Sequence, residues 1–278
     1  MGRFNLNCSV ALGGYLHDEG RLDYLQRLLV EMAPEWSAGL HIRRRRQERE
    51  LLDLSVPGVL AKAVRERAME RGDLFQQLTK QLADSAPRVF GQAEFAGSDP
   101  SLVVVVSVDE NILSRAGDKM VWGNRIALQV GRSTVNRVPA VTWGRRAFEA
   151  LCQNLSPQYG HAEIFAEYEA KNISHEDGGT RAIGLDVGKH LPGLYWLNFF
   201  GEPFCTLIGA ERILAAPALE TRRIDRGVLV ALANDPIAWN TSEYKLVEAR
   251  VRDHLGHQYF FSRDQVDRRT IAPNFGAS

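Results

Sequence analysis

Only three cysteines occur in the 278 residues, Cys8, Cys152 and Cys205, widely separated and odd in number. That arrangement suits neither a disulfide framework nor the paired spacing of a zinc site, so reduced, buried thiols are expected. No uninterrupted apolar run approaches the roughly 20 residues that a membrane-crossing helix requires. Net charge is lacking too: 34 basic residues offset 34 acidic ones. No global attraction to nucleic acid or anionic lipid is therefore indicated. Between Met1 and Ala11, Asn5 and Asn7 interrupt the apolar residues, and the apolar stretch of a secretory signal is missing. Together these absences lead to the expectation of a cytoplasmic protein.

Catalytic signatures are also scarce. Gly184-Leu-Asp-Val-Gly188-Lys189 has three residues between its glycines, and His190 follows the lysine. A phosphate-binding loop needs four residues there and a hydroxyl after the lysine. Neither Gly-x-Ser-x-Gly nor His-Glu-x-x-His occurs. His161-Ala-Glu163 matches half of a zinc-deaminase signature, but Cys152 and Cys205 cannot supply its cysteine pair. No catalytic, cofactor-binding or metal-binding residue is assigned, and a role other than catalysis is expected. Two alternatives stay open. One is an enzyme of unrecognised type using the loop from His175 to His190, which also holds Glu176 and Asp177. The other is a nucleic-acid-binding module using Arg43 to Arg46, although Glu48, Glu50 and Asp53 follow closely and neutralise that run.

What the chain does have is periodicity. Phe4, Leu6, Cys8, Val10 and Leu12 alternate with Asn5, Asn7 and Ser9, the pattern of a half-buried strand. Leu22, Leu25, Leu28, Leu29 and Met32 form one stripe of a helix that begins at Asp18 or Glu19 and stops before Pro34. Further helices are expected from Pro57 to about Glu70, from Asp73 to Ala83, from Pro139 to Cys152 and from Ser242 to His254. Strands are expected at Val89–Phe90, Glu94–Phe95, Leu102–Val108, Trp122–Val130, Leu194–Phe200, Val228–Leu232 and Tyr259–Phe261. Helices and strands fall in blocks, which argues for an α+β fold with a largely antiparallel sheet packed with helices and a helix-rich N-terminal segment. The expected organisation is a single domain, 1–278, or two closely packed halves, 1–100 and 101–278.

The cleanest alternation runs from His161 to Ala170. As one strand it places His161, Glu163, Phe165, Glu167 and Glu169 on one face, and Ala162, Ile164, Ala166, Tyr168 and Ala170 on the other. Three carboxylates in a row repel one another unless a basic partner neutralises them. These five residues are the candidate partner interface, and a solvated edge strand is the plainer reading of the same pattern.

Leu194-Tyr-Trp-Leu-Asn-Phe-Phe-Gly201 is followed by a segment around Glu211-Arg-Ile-Leu-Ala-Ala-Pro217. Next comes the Gly-led strand in Asp225-Arg-Gly227-Val-Leu-Val-Ala-Leu232, then Asp235-Pro236 and a closing amphipathic helix. This order resembles immunity proteins of bacterial polymorphic-toxin and type VI secretion systems, particularly the immunity-protein-52 group, over about residues 190 to 255. The resemblance implies a non-enzymatic cytoplasmic protein without cofactor. Its partner would be a cognate toxin, often a nuclease, rather than nucleic acid or membrane. It also implies that Trp196 and its neighbours are core.

Overall fold

In β1 (Leu6–Ala11) Leu6, Cys8 and Val10 are buried on one face, while Asn7 and Ser9 turn to the other. This alternation sets the two sides of the whole sheet. The computed structural model describes residues 6–12, 19–32, 40–43, 49–64, 66, 90–96, 102–109, 125–130, 137–175, 179–185, 187–265 and 269–273. The expected Asp73–Ala83 helix lies outside them.

β1 pairs antiparallel with β6 (Arg125–Val130) on one side and with β7 (Tyr159–Ile164) on the other. Beyond β6 come β5 (Leu102–Asp109), β4 (Phe90–Ala96), β2 (Leu40–Arg43) and β3 (Arg49–Leu52). Beyond β7 come β10 (Leu197–Phe200), β12 (Gly227–Ala231) and, at the edge, β11 (Glu220–Ile224). The result is one ten-stranded sheet, antiparallel at every neighbouring pair. A separate ribbon joins β8 (Ile173–Ser174) to β9 (Arg181–Ala182). The fold is α+β, as the blocks of elements imply.

The apolar face of the sheet meets α1 (Glu19–Met32) and α2 (Arg137–Leu155). Leu22, Leu25 and Leu29 from α1, with Phe148, Leu151 and Cys152 from α2, are essentially without solvent contact. They pack with Leu6, Cys8, Ile126, Leu128, Ala162, Leu197, Phe199 and Leu229 in one cluster. Each buried Leu, Ile or Phe among them stabilises the fold by about 1.5–3 kcal/mol. Gly144 lets α2 approach β1 closely: a Cβ there would lie 2.2 Å from Leu6 Cδ2. Cys8 Sγ lies 3.4 Å from the Gly144 carbonyl oxygen, to which it donates. Helical residues 59–64 add Leu60 and Val64 to this layer.

On the opposite side, over β7, β10 and β12, lie α4 (Glu202–Ile208), α5 (Ala210–Leu214) and α6 (Ser242–Leu255). Phe204, Ile208, Ile213, Tyr244, Val251 and Leu255 pack there on Tyr159, Phe200, Val228 and Val230. α6 starts where sequence reasoning places it, with Thr241 Oγ1 accepting from the Tyr244 amide at 3.2 Å. The segment expected as a last strand is instead a 3-10 turn, His257–Tyr259, followed by an isolated parallel bridge from Leu191 to Phe260. Of the cysteines, Cys8 and Cys152 are buried and Cys205 is half-buried.

Candidate functional site

The acidic alternation that looks like one strand is two elements. β7 ends at Ile164, and α3 (Phe165–Asn172) begins at the next residue. A helix turns by 100° per residue, so side chains that would alternate along a strand separate instead. His161, Glu163 and Glu167 are 1%, 0% and 0% exposed, and they cannot form a docking face for a partner. Phe165, at 48%, and Glu169 remain accessible on the outer side of α3.

The three inward residues belong to a polar network beneath the C-terminal helices. On β7, Glu163 Oε1 accepts from Asn7 Nδ2 at 2.5 Å, and Oε2 lies 2.5 Å from His161 Nδ1. The same face of β1 carries Ser9, whose Oγ accepts from Arg125 Nε of β6 at 2.5 Å. Tyr195 stacks on the His161 ring with centroids 4.5 Å apart and donates its hydroxyl to Asn172 Oδ1 at 2.5 Å. Asn172 Nδ2 in turn donates to the carbonyls of Ile183 and Pro192, both at 3.1 Å. Asn198 of β10 bridges back to Tyr195, accepting from its amide at 2.9 Å and donating to its carbonyl at 2.8 Å.

Glu167, on α3, is fully buried. Its Oε1 accepts from Lys171 Nζ at 2.8 Å and from Tyr244 Oη at 2.7 Å. Burial raises the Glu167 carboxyl from the usual 4.5 to about 7, although Lys171 and Tyr244 pull it down; the Glu163 charge adds to the rise. Lys171 Nζ also contacts Glu248 Oε2 of α6 at 3.1 Å and donates to the Leu194 carbonyl. It lies 5.2 Å and 5.6 Å from the ring centroids of Tyr195 and Tyr244. All three ammonium donors thus have acceptors, in an aromatic surround that favours a cation. The network ties β1, β6, β7, α3, α6 and the segment before β10 together.

Sequence reasoning singled out His161, Glu163 and Glu167 but assigned them to the surface. It missed Lys171, Asn172, Tyr195 and Tyr244 as their partners. The Glu167–Lys171 spacing of four, typical of a helical ion pair, is the signal that could have found one of them.

The two histidines of the proposed loop do not converge. His175 is exposed, with Nε2 3.8 Å from Glu169 Oε1 and Nδ1 3.3 Å from Thr180 Oγ1. His190 is half-buried against Phe261, with Nδ1 3.3 Å from Thr270 Oγ1. Glu176 and Asp177 lie outside the described residues. Among the described residues no group of three or more His, Cys, Asp or Glu is arranged to hold a metal, and no helix is long and apolar enough to cross a membrane. Of the basic run, Arg43 ends β2, and Arg44 to Arg46 lie outside the described residues.

No family model and no curated protein matches the chain. Among solved structures the chain is similar to the Pseudomonas aeruginosa T6SS protein PA0821, at 10% identity and a TM-score of 0.49. The match covers 97% of this chain and 79% of that one.

Proposed function

We propose that this chain is an immunity protein of a bacterial toxin system, in the manner of type VI immunity proteins. It would act in the cytoplasm, binding a cognate toxin and blocking it by contact, without catalysis. The observation that carries this reading is the position of Leu194 to Phe200, the aromatic block on which the family resemblance rests. Every one of these residues is buried. Leu197 to Phe200 lie between β7 and β12 at the centre of the C-terminal half of the sheet. The block is a framework element, the role that the resemblance implies for it.

A second feature fits a binding role. His161, Glu163 and Glu167 are engaged with other side chains of the chain itself and lack solvent contact. What remains for a partner is the outer surface, including Phe165 and Glu169 on α3. The test is co-expression of this chain with the product of the gene beside its own, in a host that the product alone kills. Restored growth and a stable complex on size-exclusion chromatography are the expected results. Growth arrest despite expression of folded protein, with no complex, would overturn the proposal.

A further inference from the structure

Most helices dock through an apolar stripe, but α3 docks largely through polar groups. Its inward residues are Glu167 and Asn172, both buried, and Lys171, of whose side chain 18% is exposed. Phe165 faces outward, Tyr168 is half-buried, and Ala166 packs against the apolar core. The attachment of α3 therefore depends on hydrogen bonds and charge, with only small apolar support from Ala166 and the half-buried Tyr168.

The charges around Glu167 are unevenly compensated. From α3 itself Lys171 faces it; from α6 come Tyr244 and Glu248; from β7, Glu163, His161 and Tyr159; and from the segment before β10, Tyr195. Lys171 serves two carboxylates, Glu167 and Glu248. Glu248 has a second cation in Arg252, whose Nη2 is 3.1 Å from its Oε1. Glu163 has Asn7 and His161. Glu167 has the shared lysine and one tyrosine hydroxyl, both on the same oxygen. Its Oε2 is buried without a hydrogen-bond partner among the described residues.

We propose that Glu167 is a proton-operated latch between α3 and α6, closed when the carboxyl carries a proton and loosened when it is ionised. Ionised and enclosed, the carboxylate forgoes hydration that Lys171 and Tyr244 replace at one oxygen only. Local opening of α3 returns it to water. A carboxyl held near 7 in the docked state and at the ordinary 4.5 in the open one fixes the direction. The docked state binds the proton more tightly, so its added stability is complete below about 4.5 and lost as pH rises through about 7. This inference is independent of the identity of any partner.

Hydrogen exchange of the α3 amides, corrected for intrinsic rates, tests it. Between pH 6 and pH 8 the open population of α3 should rise roughly tenfold in the native chain. In the Glu167→Gln variant it should stay level, and amides of β10 should not follow in either protein. Opening that ignores pH, a slope that survives in Glu167→Gln, or α3 opening only together with β10 would each overturn the latch. Should the variant fail to fold, carbon-13 titration of the native carboxyls decides. A Glu167 midpoint close to neutrality supports the latch, and one near 4.5 overturns it.

Discussion

Arg222 on the edge strand β11 reaches Glu149 on α2 at 2.7 Å and closes a ring of four charges. Arg222 Nε also lies 2.9 Å from Glu220 Oε1, while Arg145 pairs with Glu149 at 2.9 Å and with Glu220. Each arginine thus contacts both carboxylates. The ring holds an otherwise charged edge strand against the helix that covers the sheet, and its ionic side chains make β11 a poor template for pairing with another chain.

The ring is between a quarter and two-fifths exposed, so water screens it. Arg222→Ala and Glu149→Ala are each expected to cost about 1 kcal/mol or less, with a coupling of about 0.5–1 kcal/mol in a double-mutant cycle. Partial burial pushes the Glu220 carboxyl upward, but hydrogen bonds from Arg145 and Arg222 hold it below the usual range. Its contribution is therefore present above the unfolded carboxylate value and is lost as pH falls through the depressed folded one. Urea denaturation at neutral pH and at pH 3, in low and high salt, measures both effects. A coupling that is undiminished in high salt would contradict an exposed ring.

Trp196 is expected to be among the most costly residues to truncate. It is fully buried, and its indole donates to the Ala233 carbonyl at 2.9 Å. Trp196→Ala should lower stability by about 3–5 kcal/mol through the cavity and the orphaned carbonyl. Trp196→Phe should fall between that variant and the native chain. A loss under about 1 kcal/mol in chemical denaturation would mean that this segment repacks freely.

The local pattern was legible wherever apolar and polar residues alternate or apolar ones form a stripe. Leu6 to Ala11, the leucine stripe of α1, the Phe148–Leu151–Cys152 face of α2 and the start of α6 all follow from period and capping. The α3 segment was not, because Ala166, Glu167, Glu169, Ala170 and Lys171 satisfy two periods at once. Read by twos they make an acidic strand; their composition, rich in good helix formers, favours a helix. β11 was hidden for a related reason: Glu-Thr-Arg-Arg-Ile has no apolar alternation, and its ion pairs come from residues distant in sequence. The buried network was illegible since Asn7, Arg125, Glu163, Lys171 and Tyr244 meet only after strands and helices from most of the chain have assembled.

Gly201 offers a test of how β10 leads into α4. Its amide donates to the Gln158 carbonyl at 3.0 Å. A Cβ on it would lie 2.1 Å from the Pro157 carbonyl oxygen and 2.7 Å from that of Gln158. Neither atom belongs to a flexible side chain, so the backbone must move. Gly201→Ala should lower stability by about 1–3 kcal/mol. Gly179→Ala, where no other described residue lies within 4 Å of the added carbon, should change it by less than about 0.5 kcal/mol. Equal thermal midpoints for the two variants would contradict the close approach.

The last prediction separates the two kinds of acidic residue that the alternation merges. Glu163 is fully buried between Asn7 and His161, and Glu163→Ala leaves both without their shared acceptor. A cost of about 3–5 kcal/mol is expected, with Glu163→Gln milder because one acceptor oxygen survives. Glu169 is about half exposed and pairs only loosely, at 3.8 Å, with the exposed His175. Glu169→Gln should leave stability within about 0.5 kcal/mol. Phe165, 48% exposed and 6.3 Å from the Tyr168 ring, should be similarly dispensable to the fold. If the chain binds a toxin through the outer side of α3, Phe165→Ala combined with Glu169→Gln should weaken the complex about tenfold or more. The aromatic loss should appear in the off-rate and the charge loss in the on-rate. Surface-based kinetics at two ionic strengths, run beside denaturation of each variant, distinguishes loss of binding from loss of fold. Unchanged rates in the double variant would move the contact surface away from α3, while a large loss of stability on Glu169→Gln would overturn its assignment to solvent.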